Sequence, residues 1–337
     1  SELTFQTFFN DLNLIELSSV LNGLGVLYRK VNKFEQGEIA LRDAVRILQD
    51  AYKIEKSEEI LSAISLVKNS LATLYGIQWK YEQAISEFEE AEKNWRKLNK
   101  KEGNYLELLS LTLNNYGIIL KDIGKYEEAG KKLTKSLEIR RKLNKETPEL
   151  FESVIVSSLS NLANLETKLG NDDKSRDYQF EAVNINRKLA ETNPNKHLSH
   201  LAQSLVSLGN KYVYLGEYSS AEQSYLEAVQ ISNDLVINLC QSRPLDLAYV
   251  SINLAEFYQR NIYKKETSIL CAIGAYVGVF SLARVSPEAT MILFRAAKVI
   301  NSWNIDFVEL FKVLELSLSE QLIQSVLQIS HADNANA

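Results

Sequence analysis

Four prolines and thirteen glycines in 337 residues leave little material for loops or linkers, so the chain is mostly regular, packed structure. Only two cysteines are present, Cys240 and Cys271, far apart and without framework spacing. That excludes a disulfide scaffold and predicts reduced thiols in a cytoplasmic compartment. A formal charge of -5 gives no general pull towards nucleic acid or an anionic membrane. The longest uncharged run, 268–283, falls short of the roughly 20 residues of a membrane-spanning helix and reads as a buried helix. The start, SELTFQTFFNDLNL, has acidic residues and no leader pattern.

Catalytic signatures are missing too. The sequence contains no G-x-x-x-x-G-K-[ST], G-x-S-x-G or H-E-x-x-H, and neither cysteine has a histidine nearby. His197 and His200 are three apart, but no cysteine or carboxylate cluster joins them into a metal site. The expectation is a non-enzymatic protein with no cofactor and no metal.

What the chain does have is repetition. Leu205, Leu208 and Tyr212 precede Gly216, and Tyr218, Ala221, Tyr225 and Ala228 follow it, which is the spacing of two apolar helix faces joined by a turn. The pattern recurs every 45 to 47 residues, giving six alignable copies. The fourth is degenerate, with Glu166 and Gln179 at positions apolar elsewhere. Gly124, Gly170 and Gly216 fall at one phase, with Asn32 there in the first copy, as left-handed helix ends require. Pro148, Pro194, Pro244 and Pro287 all lie near boundaries between copies, where a first helical turn accepts proline. Small residues at Gly25, Ala72, Gly117, Ala163, Gly209 and Ala255 mark close approach of paired helices.

These features predict an all-α solenoid of stacked helical hairpins. Residues 1–16 form an N-terminal helical cap carrying Phe5, Phe8, Phe9, Leu12 and Ile15, and 17–284 form six repeats. Residues 285–330 form a degenerate C-terminal helical pair, and 331–337 a disordered tail. A lone hairpin cannot bury both faces, so stability comes from stacking.

The residues Leu205, Leu208, Gly209, Tyr212, Gly216, Tyr218, Ala221, Tyr225 and Ala228 resemble the tetratricopeptide repeat family, read as LxxLGxxY, then Gly before Tyr, then AxxxYxxA. The unit is longer than that family's 34 residues and is similar to the extended repeats of kinesin light chains and bacterial signalling proteins. Lys68, Ser136, Glu166, Gln179 and Thr267 depart from the pattern. The resemblance implies a right-handed superhelix whose first helices line a concave groove for a protein or peptide segment.

Asparagine recurs on those first helices. One phase holds Asn22, Asn69 and Asn114, the next Asn115, Asn161 and Asn253, and a third Asn164 and Asn210. Asparagine is a mediocre helix former, so its recurrence inside helices needs a cause. Two readings stand: a ladder of amides offered to the main chain of an extended peptide, or amides bonded to adjacent helices that fix the superhelix. Arg29, Lys30, Lys121, Lys168 and Arg260 lie one turn beyond, placed to meet acidic ligand groups. The basic run 131–145 has interleaved glutamates and reads as a solvated outer face. Ala272, Gly274, Ala275 and Gly278 permit close helix approach, within the core or across a homodimer. The expected function is a scaffold or adaptor. The alternatives are the sensor arm of a larger signalling ATPase or protease, and an intracellular peptide receptor.

Overall fold

A computed structural model describes residues 14–100, 105–147, 150–237, 244–283 and 285–305. Among them are thirteen α-helices and no strand. In order they are α1 (Leu14–Lys30), α2 (Phe34–Ile54), α3 (Glu58–Ile77), α4 (Tyr81–Asn99), α5 (Leu106–Asp122), α6 (Tyr126–Glu146) and α7 (Glu152–Lys168). Then follow α8 (Asp172–Thr192), α9 (Pro194–Tyr214), α10 (Tyr218–Ile237), α11 (Pro244–Phe257), α12 (Lys265–Val279) and α13 (Pro287–Ser302). Residue 15 of the lead-in motif lies in α1. Residues 1–13, Pro148, Cys240, the second helix of the C-terminal pair and the tail lie outside the described residues.

The punctuation works as helix chemistry demands. Pro194, Pro244 and Pro287 each open a helix, where the missing N–H costs nothing. Ser57, Asn193 and Ser286 accept a hydrogen bond from the backbone N–H three residues on and so cap α3, α9 and α13. The turns after α1, α3, α5, α7 and α9 close alike, for example with Lys33 N–H donating to Tyr28 O at 2.8 Å and Lys125 N–H to Leu120 O at 2.8 Å. Such a ring needs one left-handed residue. It is Gly124, Gly170 or Gly216 in three turns, and Asn32 and Trp79, each at φ 58°, in two others.

The chain forms two compact units, Ser1–Asn171 and Asp172–Ala337. In the first, α1 pairs with α2, α3 with α4 and α5 with α6, and α7 packs on α6. The first helices also touch in sequence, α1 to α3, α3 to α5 and α5 to α7. Leu41, Ala44, Leu48, Ala72, Ala84, Phe88, Leu113 and Leu133 are all but fully buried. Each large one contributes about 1.5–3 kcal/mol by leaving water. A Cβ on Gly117 would sit 2.7 Å from Leu133 Cγ, so the glycine sets how closely α5 and α6 approach.

In the second unit α8 pairs with α9, α9 with α10 and α11 with α12, and α13 packs on both α12 and α11. Ala272 and Ala275 are fully buried among Ala289, Ala296 and Ala297, so two of the four small residues serve this core. Gly274 is exposed. The sixth hairpin turns differently: residues 258–262 form a π-turn and Tyr263 takes the left-handed conformation at φ 57°.

One contact between consecutive hairpins recurs and was not evident beforehand. Trp95 Nε1 donates to Thr112 Oγ1 at 3.1 Å, Arg140 Nη1 to Ser158 Oγ at 2.6 Å, and Asn186 Nδ2 to Ser204 Oγ at 2.6 Å. In each case a second helix holds a hydroxyl on the next first helix, one repeat apart. Arg140 also donates to Val154 O, and Asn186 to the carbonyl of His200, the same position one repeat on. Arg140 therefore corrects the reading of the basic run as wholly outward. Lys131 and Lys135 are exposed and pair with Glu127 and Glu138, while Arg140 is only 4% exposed.

Departures from the repeat pattern are satisfied individually. Ser136 donates to Ser110 O at 2.6 Å, and buried Lys68 pairs with Glu87 and, at 3.0 Å, with Glu90. Burial pulls the Lys68 ammonium down, but its two carboxylate partners outweigh that and hold it above its ordinary value. Among the described residues two helical stretches, Glu58–Ile77 and Lys265–Leu282, are by length and composition apolar enough to cross a membrane; the 268–283 reading understated the second by ignoring its flanks. Two thirds of the first is buried inside the fold, as expected of a core helix.

Candidate functional site

Four of the eight asparagines meet in one hydrogen-bonded relay across α3, α5 and α7. Asn115 Nδ2 donates to Asn69 Oδ1 at 3.4 Å, Asn114 Nδ2 to Asn115 Oδ1 at 3.4 Å, and Asn161 Nδ2 to Asn114 Oδ1 at 3.1 Å. The repeat period causes this: residues 69, 115 and 161 are 46 apart, so stacking in register brings their side chains together. Asn69 and Asn114 are 6% exposed, whereas Asn115 and Asn161 are half-buried. An amide carries two donors and two acceptor lone pairs, so Asn114 and Asn115, with one bond made and one received, and Asn69 and Asn161, with one bond each, keep further capacity.

The other asparagines are engaged differently. Asn210 Oδ1 accepts from the Tyr225 hydroxyl at 2.6 Å, within its own hairpin. Asn253 donates to Tyr249 O at 2.6 Å and accepts from Arg295 at 3.1 Å. Asn164 is exposed, and Asn22 Oδ1 is a buried acceptor with no partner among the described residues. Of the basic residues, Lys121 lies 3.3 Å from Asp122 and Arg260 3.9 Å from Glu256, while Arg29 is half-buried and Lys168 exposed.

A cavity of about 310 Å³ opens between α3 and α5 beside the relay, lined among others by Gly76, Ile77, Trp79, Asn115, Ile118 and Asp122. Trp79 is 78% exposed and Ile77 45%. A larger cleft, about 1050 Å³, lies over α3 between α2 and α4, with Tyr52, Leu61 and Ile64 among charged side chains. Its carboxylates are committed: Glu92 to Arg96 and Lys132, Glu90 to Lys68, and Glu89 to the Tyr116 hydroxyl.

A second set of side chains ties hairpins together. Glu38 pairs with Lys80 at 2.7 Å, and Glu222 with Lys264 at 2.7 Å, in each case joining a second helix to the residue that opens the next one. At the matching place Arg176 faces Glu217 at 3.3 Å, the same bridge with its charges exchanged. Lys264 and the Tyr258 hydroxyl hold the Glu222 carboxyl below its ordinary value. Burial pushes the Cys271 thiol up to about 11, so it stays protonated and unreactive near neutrality. Among the described residues no group of three or more His, Cys, Asp or Glu is placed to hold a metal ion.

Residues 155–195 and 202–235 each match the tetratricopeptide-repeat family profile. No curated protein matches the chain. Among solved structures, BtubC (BKLC) from P. vanneervenii is 18% identical with a TM-score of 0.59, over 75% of this chain and 94% of that one. A Podosopora anserina protein of the kinesin light chain type, with nearly identical TPR-like repeats, is 17% identical with a TM-score of 0.52, over 65% of this chain and 96% of that one. The Signal Transduction ATPase with Numerous Domains (STAND) protein with a tetratricopeptide repeat sensor from Pyrococcus horikoshii is 18% identical with a TM-score of 0.57. That match covers 92% of this chain and 43% of the ATPase. At such identities the likeness is one of fold.

Proposed function

We propose that this chain, two stretches of which match the tetratricopeptide-repeat profile, is a non-enzymatic scaffold that binds an extended peptide segment of a protein partner along the first helices of its N-terminal unit. The observation that carries this reading is the relay Asn69, Asn115, Asn114 and Asn161. An extended main chain exposes alternating N–H and C=O groups, and a line of amides with spare donors and acceptors matches both without regard to side chains. Sequence selection then falls to groups beside the relay. The thiol chemistry of Cys271 suits a reducing, cytoplasmic setting.

Selection of a random twelve-residue phage-displayed peptide library on the full chain tests this. Selected peptides should lose about tenfold or more in affinity, by fluorescence anisotropy, on Asn69→Ala with Asn161→Ala, the two ends of the relay. Peptides indifferent to that change, or a library that yields no binder, would reject it.

A second reading makes the repeats the sensor portion of a longer signalling protein. It is supported by the match that spans most of this chain but 43% of the STAND ATPase. A full reading frame that lacks any nucleotide-binding region would remove it.

A further inference from the structure

Three features of the second hairpin coincide. At the phase occupied by Gly76, three residues before the left-handed turn position, the other hairpins carry Arg29, Lys121, Thr167, Val213 and Arg260. Gly76 carries nothing, and Ile119 Cδ1 lies 2.3 Å from where a Cβ would stand. The space above is the cavity between α3 and α5. At the turn position itself, where three hairpins use glycine, this one has Trp79 at φ 58°. A bulky side chain there strains the backbone, and an indole 78% exposed recovers little by burial. Folding alone gives no reason for the tryptophan. Its ring forms one wall of the cavity, with Ile77 and Ile118 as apolar lining and the Asn115 amide beside them.

We propose that this cavity is an anchor subsite for one aliphatic side chain of the bound peptide, and that the residue next to it is Lys or Arg. The first part follows from the apolar lining and from a volume at the lower end of ligand sites. The second follows from charge: Asp122 is the one charged residue among those lining the cavity, and its exposed carboxylate has Lys121 3.3 Å from Oδ1 and no ion pair at Oδ2 among the described residues, leaving room for a second cation. Asn115, shared by cavity and relay, aligns the peptide backbone with the anchored side chain. The subsite rests on the peptide-binding reading and makes it specific.

The probes are the blocked dipeptides N-acetyl-Leu-Arg-amide and N-acetyl-Leu-Glu-amide, followed by saturation transfer to their leucine methyl groups from the full chain. The arginine peptide should give a signal at least threefold above the glutamate peptide. Trp79→Gly should cut it at least fivefold while the melting temperature holds or rises, because glycine fits the left-handed turn. Asp122→Asn should erase the preference for arginine without abolishing the signal. Equal signals for the two peptides, an unchanged signal in Trp79→Gly, or a fall in its melting temperature would overturn the subsite. Library peptides that respond to the relay substitution but ignore Trp79→Gly would overturn the subsite and leave the wider reading standing. A dipeptide signal with no library binder would do the reverse.

Discussion

The two units solve the same stacking problem with different chemistry. Between first helices of the N-terminal unit the contact is amide to amide, Asn69 to Asn115 and Asn114 to Asn161. In the C-terminal unit Asn210 accepts from Tyr225 within its own hairpin, and Asn253 bonds to Arg295 and to Tyr249 O, so these amides meet other groups instead of each other. A bond between identical amides can run in either sense, whereas Tyr225 and Arg295 fix which atom of their asparagine is the acceptor. One period thus sets asparagines against each other in one unit and against phenolic, charged and backbone groups in the other.

The clamp between hairpins sharpens that comparison and offers the largest effect. Arg140 is buried, no carboxylate among the described residues forms an ion pair with it, and burial pushes its guanidinium down to about 10. Arg140→Ala removes donors from Ser158, Val154 and Ser110 and opens a void, and should cost about 3 kcal/mol by urea unfolding. Asn186→Ala removes the equivalent clamp in the C-terminal unit and should cost about 1–2 kcal/mol. Equal losses would mean that the guanidinium adds nothing beyond its hydrogen bonds.

Next comes the relay. Asn114→Ala breaks two of its bonds and should lower stability by about 1–2 kcal/mol, against about 1 kcal/mol or less for Asn210→Ala, which deprives Tyr225 of one acceptor. A reversed order in urea midpoints would break the contrast between units.

The smallest effect is a pH dependence. Lys264 and Tyr258 depress the Glu222 carboxyl from its ordinary 4.5, so its contribution is complete above that value and is lost as pH falls through the folded value. Glu222→Gln should remove a few tenths of a kcal/mol near neutrality and flatten the acid limb of the thermal stability profile. An acid limb unchanged by the substitution would show that the bridge contributes nothing.

The architecture was legible because its signals are local and repeated. Gly124, Gly170 and Gly216 at one phase, and prolines opening α9, α11 and α13, report backbone conformations that each residue type imposes on itself. Helix contacts at Gly25 and Gly117 follow from size alone. The site was legible in part. The asparagine phases announced that amides would meet, but whether they faced a ligand, a backbone or one another depends on rotations that spacing does not encode. Arg140 was misplaced because a basic run looks solvated in one dimension; its burial depends on Ser158 and Val154 from the next hairpin.

By itself, then, the sequence determined the repeat length, the pairing of helices and the turns that join them, since period, side-chain size and left-handed preference act over a few residues. Only the tertiary structure decided which amides bond to which, which cation is buried, and that Ile119 fills the place of a side chain at Gly76 beside a cavity lined by Trp79. Those outcomes depend on distances of a few ångströms between groups about one repeat apart, and no short-range rule along the chain sets them.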